Sequence, residues 1–438
     1  MLKRLLIDNA LLALQYATSA LVPLLLIPYF IHVLGAAQYG AIAIAVAVLS
    51  YASVVVQYAF HLTGPAELAA RAQAGTGVRA NKEVFLDIAL ARLLLLAGVI
   101  AVGAAAALVF FFVADQGKVE RHGHWWVLLG LPIGAALHSG WYLQATGRLL
   151  ALSATSIVAA GCTLAVGFLL VDRQSASAHV WAAAALALGP LLAGCATFVH
   201  AAMIHAGEPG KASLARALEA IRQGRSIFLS QFIAALYTLA GPLVVGSTAG
   251  QRAAGLYSGV ERIANALQTA FGLTHTAAYP RLAALYRTAR SEYLRLVRAV
   301  LAIYLLGVLG LGVLLAFHFE RVSILLLAEA NTETVRLLGC AWLWLALGIF
   351  GPLVTGYLTV SDARREILPL TWRVLLVSLP AGFLAATLFG SPGWLAALVA
   401  GQLLVVRRAA RAYRDEAAHL KQQPGREGKE GSHKHRVS

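Results

Sequence analysis

The chain has 438 residues, of which 59% are apolar and only 13% charged, against about 25% charged in an average soluble domain. That balance excludes a soluble globular protein. The formal net charge of +15 invites nucleic acid as a partner, but the basic residues sit between long apolar runs, so no nucleic-acid binding is expected, even for the basic tail.

Apolar runs of about 20 residues, the length of a helix crossing about 30 Å of hydrocarbon, recur along the chain. We place spans at 10–31, 39–61, 84–113, 125–144, 149–171 and 180–204, then at 227–247, 256–279, 294–317, 335–360, 368–388 and 394–406. The expectation is therefore an all-α integral membrane protein with about 12 transmembrane helices. Lys3 and Arg4 precede the first run as they would in a signal peptide, but the run continues through Pro23 and Pro28 without a cleavage site, so we read a retained span. With a cytoplasmic N-terminus, about 26 of the 35 Lys and Arg fall on cytoplasmic segments, which puts both termini in the cytoplasm. Trp125, Trp126, Trp181 and Trp394 then open spans at the outer interface, as an aromatic belt would.

The chain reads as duplicated. The first span leads into Gly35-Ala-Ala-Gln-Tyr-Gly40 and the seventh into Gly250-Gln-Arg-Ala-Ala-Gly255, each after a Pro-containing helix. Six spans per half would give the two halves the same orientation. The organisation expected is an N-terminal lobe over 1–204, a cytoplasmic connector over 205–225, a C-terminal lobe over 226–407 and a disordered basic tail over 408–438.

Polar residues inside spans are costly and face a bundle interior or a wet cavity. The second span carries Ser50, Ser53, Gln57 and His61 at helical spacing. The eighth carries Ser258, Glu261, Arg262, Asn265, Gln268, Thr269 and Thr276 on one broad face. Interhelical hydrogen bonding, worth about 0.6–2 kcal/mol per contact, explains the second stripe as well as a ligand site does. An adjacent acid and base favour a cavity for the eighth. Arg92 in the third span is a second candidate for binding, with Asp87 five residues earlier, off the usual pairing spacing. Arg262 and Arg373 lie close enough to a span end to snorkel. Gly241-Pro242 in the seventh span is the best hinge candidate, since proline removes a helix hydrogen bond. Gly130-Leu-Pro-Ile-Gly134 and Gly255-Leu-Tyr-Ser-Gly259 have the spacing for close helix contact.

Cys162, Cys195 and Cys340 lie in apolar segments without CxxC spacing and are expected to be inert thiols. His122 and His124 lack further ligands, so no metal is expected. There is no Walker A sequence and no HExxH, nor a loop long enough to hold a catalytic domain, so we expect neither an enzyme nor a cofactor.

Four passages carry a resemblance: LLIPYFIHVLGAAQYGAIAIA, YAFHLTGPAELAARA, SGWYLQATGRLLALS, and the long segment from ALEAIRQGRSIFLSQ through GLYSGVERIANALQTAFGLTHTAAYPRL. In order and spacing they resemble the polysaccharide (O-antigen-type) flippases of the multidrug/oligosaccharidyl-lipid/polysaccharide (MOP) superfamily. The resemblance implies two six-helix lobes around a central cavity in a bacterial inner membrane. It implies a polyprenyl-diphosphate-linked glycan moved from the cytoplasmic to the outer leaflet, coupled to H⁺ or Na⁺, with membrane lipid and polysaccharide polymerase machinery as further partners. It maps a cationic cavity position onto Arg262 and a basic third-span position onto Arg92, with Asn265, Gln268, Gln57 and His61 beside them. The second span is neutral where relatives often carry a charge. Glu261 and Asp87 are the ion-coupling candidates. The rivals are a multidrug or lipid-linked precursor exporter of the same superfamily, which for drugs would favour acidic cavity residues, and a membrane glycosyl polymerase or ligase, which would need a long outer loop.

Overall fold

The computed structural model describes residues 2–73, 77–113, 124–206, 210–361 and 363–422, and everything regular in them is helical. In chain order the helices are α1 (Leu2–Leu34), α2 (Ala36–Gln57), α3 (Phe60–Gln73), α4 (Gly77–Val113), α5 (His124–Leu128), α6 (Gly130–Leu137), α7 (Gly140–Ala145), α8 (Leu149–Leu170) and α9 (Ala178–Ile204). They continue as α10 (Leu214–Thr238), α11 (Gly241–Thr288), α12 (Arg290–Leu327), α13 (Thr332–Gly348), α14 (Phe350–Val360), α15 (Ile367–Phe389) and α16 (Ser391–Gln422). Among the described residues, nine helical stretches are long and apolar enough to cross a membrane, which makes this a multi-pass membrane protein.

Twelve crossings were expected, and the difference has local causes. One stretch, Leu214–Gly272, is 59 residues long and covers the seventh expected span and most of the eighth. The expected first span contributes only the shorter apolar helix Ala20–Leu34. The fourth is broken into α5, α6 and α7.

Glycine and proline set several of these breaks. Gly35 (φ 81°) separates α1 from α2, and Gly250 (φ 86°) kinks α11, a conformation that costs glycine little. Helix α10 stops at Thr238, and Gly241-Pro242 opens α11, because proline disfavours helical geometry in the residue before it. Gly390 (φ 66°) ends α15 and Pro392 stands in the first turn of α16, the usual asymmetry of the two residues. Asn331 caps α13 in a capping box, its side chain accepting from the Thr334 N–H at 3.0 Å while Thr334 Oγ1 accepts from the Asn331 N–H at 2.9 Å.

Two expectations need correction. The second span is not one unbroken helix to His61: α2 stops at Gln57, and Tyr58 and Ala59 both take positive φ (44° and 59°) before α3 begins. Two consecutive non-glycine residues there are strained. Residues 408–422 are not a disordered tail but the end of α16, because RRAARAYRDEAAHLKQ is rich in Ala and Arg, both strong helix formers; residues 423–438 lie outside the described residues. Within the stretch expected as the connector, α10 begins at Leu214. Trp394 stands in the first turn of α16 and is fully buried, its ring 2.6 Å from where a Gly382 Cβ would stand. Trp126 and Trp181 are exposed. His122 lies outside the described residues.

The helices form two compact units, Met1–Gly259 with Leu326–Ala328, and Val260–Leu325 with Glu329–Ser438. In the first, a core of Phe60, Phe85, Ile88, Trp141, Tyr142 and Leu152 joins α3, α4, α7 and α8. Helices α6 and α9 approach through Gly134 and Gly194, where any Cβ would strike the other helix's backbone. In the second unit, α16 packs along α13, α14 and α15, and Tyr304, Val308, Leu345 and Ile349 form a separate cluster.

Candidate functional site

The expected site residues fall into three places. The first is the cytoplasm-proximal half of α4, by the expected orientation. Asp87 is buried, with 4% of its surface exposed. Its carboxylate accepts from the Ser213 N–H at 2.7 Å and from Arg216 Nε at 2.6 Å. Arg216 also reaches Glu83 at 3.8 Å and donates to the Lys211 carbonyl at 2.7 Å. A carboxylate at the start of α10 complements the helix dipole and its unpaired N–H groups. That hydrogen bond raises the Arg216 pKa further above its ordinary value. The same end of the unit is held by Lys82, which donates to the His205 carbonyl at 3.1 Å, and by a hydrogen bond between the Tyr142 hydroxyl and His205 Nε2.

Five residues along, about 7.5 Å of helix rise, Arg92 is also buried, at 3% exposure. Its Nη1 donates to the His138 carbonyl. That acceptor is available because the chain breaks between α6 and α7, with His138 at ψ 99°. The guanidinium lies 5.8 Å from the Phe60 ring centroid, a cation–π contact. Its Nε has no hydrogen-bond partner among the described residues. A buried arginine with an idle donor is costly in an empty site and well suited to an anion or water.

Gln57 and His61 flank the Tyr58–Ala59 break, and both are exposed. Ser50 and Ser53 spend their hydroxyls on their own helix, donating to the Val46 and Leu49 carbonyls at 2.7 and 2.9 Å. Tyr58 stacks on Phe228 with centroids 4.2 Å apart, tying the break to α10. A cavity of about 620 Å³ opens beside it, lined by Phe60, Arg71, Asp87, Ile88, Arg216 and Ile227 among others. Phe60 therefore touches both the cavity and Arg92.

The second place is α11 after Val260. Glu261 is buried at 7% exposure, Arg262 is half-buried and Asn265 is exposed. Among the described residues nothing hydrogen-bonds or ion-pairs with Arg262. Gln268 is half-buried against Gly348, where a Cβ would collide with its amide. Thr269 donates to the Asn265 carbonyl at 2.9 Å. The stripe thus divides into residues turned into packing, Glu261 and Gln268, and residues left open, with Arg262 between them.

The third place joins the two glycine motifs. A Cβ on Gly40 would strike the Gln251 carbonyl, and a Cβ on Gly255 would strike the Ala36 carbonyl. Gly35 and Gly250, each five residues earlier, share one backbone conformation, with ψ 157° and 173°. The two copies therefore cross reciprocally, the residue after one turn glycine against the far glycine of the other. Gly241 adds a close approach of its own, since a Cβ there would enter the Tyr257 ring.

Sequence reasoning missed His138, Tyr142, His205 and Arg216. A histidine inside an apolar run was a signal for His138. Nothing local marks Arg216 as a partner of Asp87, 129 residues away.

A sequence profile for the family described as "Polysaccharide biosynthesis protein" matches residues 6–286, well over half of the chain. The chain belongs to that family. A putative O-antigen transporter of Escherichia coli (strain K12) is 23% identical over 279 residues, which span 62% of this chain and 63% of the relative. Among solved structures, the chain is similar to an inward-facing multidrug resistance MATE transporter of the MOP superfamily, at TM-score 0.68 and 15% identity over 93% of this chain and 100% of that one. It is also similar to the lipid II flippase MurJ in an inward closed conformation, at TM-score 0.65 and 11% identity over 94% of this chain and 90% of that one. The chain shares its fold with these two transporters.

Proposed function

We propose that this member of the family is a transporter that flips a polyprenyl-diphosphate-linked oligosaccharide from the cytoplasmic to the outer leaflet of a bacterial inner membrane. It has twelve crossings, both termini in the cytoplasm, and two six-helix lobes, 1–204 and 226–407, that rock around the site. The observation that carries this reading is Arg92, a cation at membrane depth with one guanidinium donor unspent. A diphosphate cannot enter hydrocarbon without counter-charge, and guanidinium matches its oxygens in charge and planar geometry. Arg262, without a partner among the described residues, supplies the second cation, and Asn265, Gln268, Gln57 and His61 supply neutral hydrogen bonds to the headgroup.

The glycine crossing of Gly40 and Gly255 acts as the outer closure, and the break before Gly241-Pro242 as the hinge that lets it open. Movement of H⁺ or Na⁺ biases the two states, because a ligand shifts an equilibrium only by binding them unequally. Asp87 suits this role through its pairing with Arg216: a proton on Asp87 would weaken the link between α4 and α10. Glu261 is the alternative acid. Membrane lipid surrounds the polyprenyl tail, and polymerase machinery takes the product at the outer face.

The test is complementation of a strain lacking its lipid-linked oligosaccharide flippase. The chain should restore surface glycan, and the Arg92→Gln chain should not. Failure of the unaltered chain at normal membrane abundance would overturn the reading for that glycan class.

A further inference from the structure

The unit comprising Val260–Leu325 and Glu329–Ser438 contains a second opening, a groove of about 450 Å³ between α12, α14 and α16. Its floor is apolar, formed by Leu294, Leu301, Phe350, Leu353 and Val406 among others. It exists because α16 presents Ala409, Ala410 and Ala412 there, and alanines leave the space that larger side chains would fill. Arg298 and Arg414 stand in its wall. Arg298 Nε reaches only the Leu294 carbonyl of its own helix, at 3.3 Å, and no carboxylate among the described residues pairs with either arginine. Other guanidiniums are engaged: Arg408 meets Glu366 at 2.9 Å and Arg290 lies 4.3 Å from the Tyr286 ring centroid.

We infer that this groove is a fixed site for an anionic phospholipid of the surrounding membrane, one acyl chain on the apolar floor and the phosphate held by Arg298 and Arg414. An apolar trough with two unneutralised guanidiniums complements that molecule, whose tail needs a dry surface and whose headgroup needs counter-charge. The placement at the cytoplasmic ends of α12 and α16 rests on the proposed orientation, and that leaflet is the one rich in anionic lipid. The site is separate from Arg92 and Arg262, and lipid bound there braces α16 against α12 and α14.

The experiment is native mass spectrometry of the purified, delipidated full chain titrated with phosphatidylglycerol or phosphatidylcholine. The unaltered chain should retain phosphatidylglycerol preferentially. Arg298→Gln with Arg414→Gln should lose that preference by about fivefold per arginine. Arg321→Gln, which removes an exposed charge elsewhere, should keep it. Ala410→Trp should abolish retention with both arginines in place, which guards against a double variant that merely folds poorly. Equal loss in Arg321→Gln would mean diffuse surface attraction and overturn the site. Displacement of phosphatidylglycerol by polyprenyl diphosphate would give the groove to the transported lipid and overturn it as well. None of these readings uses transport, so the site and the transport proposal fail independently.

Discussion

Arg92 and Arg262 are both cations inside apolar helices, yet the fold treats them differently. Arg92 is buried, fixed by the His138 carbonyl and the Phe60 ring, with one donor idle among the described residues. Arg262 is half-buried and has no hydrogen-bond or ion-pair partner among the described residues. The first is positioned by the scaffold before any ligand arrives, so little side-chain entropy remains to be lost on binding. The second can follow a moving ligand at a greater ordering cost. On the proposed function, Arg92 would be a preset point of recognition and Arg262 a contact that persists as the substrate travels.

The largest expected effect separates the two. Arg92→Ala should abolish transport and also lower stability by about 2–4 kcal/mol, because it strands the His138 carbonyl and opens a core cavity. Thermal unfolding in detergent and complementation measure the two losses. Arg262→Ala should abolish transport while shifting stability by less than about 0.5 kcal/mol, as substitutions outside packed or networked positions do. Arg262→Lys should retain part of the activity, since it keeps the charge and loses the bidentate fork. Equal destabilisation by Arg92→Ala and Arg262→Ala would erase the contrast.

The glycine motifs come next in size. Gly40→Val and Gly255→Val should each cost about 1–3 kcal/mol or prevent outer closure, since the added atoms meet backbone rather than flexible side chains. Cysteine accessibility at neighbouring outer positions should rise in both variants if closure is lost. Gly35→Ala and Gly250→Ala should each cost about 1–3 kcal/mol and by matching amounts, because both residues hold the same positive φ with extended ψ, a region almost confined to glycine.

These glycines were legible in the sequence because the motif recurs with its spacing intact, and the conformation follows from what only glycine adopts easily. The charges were legible because a lone Arg92 interrupts an apolar run. What holds them was not. The His138 carbonyl becomes an acceptor only when the fourth span breaks, and the Tyr58–Ala59 break contains neither glycine nor proline to announce it. Asp87 looked unpaired because its partner is 129 positions away, and helical spacing speaks only of neighbours within a turn or two. The helix over 408–422 was hidden by charge, which resembles a disordered tail until its alanines and good helix formers are weighed.

The smallest effect concerns the two acids. Asp87→Asn should weaken the link to Arg216 by about 0.5–1 kcal/mol, since that arginine is 41% exposed and the pair is partly screened. If Asp87 carries the coupling, the same change should also remove the dependence of transport on an imposed pH or Na⁺ gradient in vesicles, while Glu261→Gln leaves it intact. The reverse outcome would assign the coupling to Glu261.

The measurement closest to the central claim is flipping of a polyprenyl-diphosphate-linked oligosaccharide by the purified chain in proteoliposomes, read by protection of the glycan from an external glycosidase or lectin. The account predicts gradient-stimulated flipping by the unaltered chain and none by Arg262→Ala at matched unfolding temperature. Undiminished flipping by Arg262→Ala, or a chain that moves an organic cation and leaves the lipid-linked glycan in place, would contradict it.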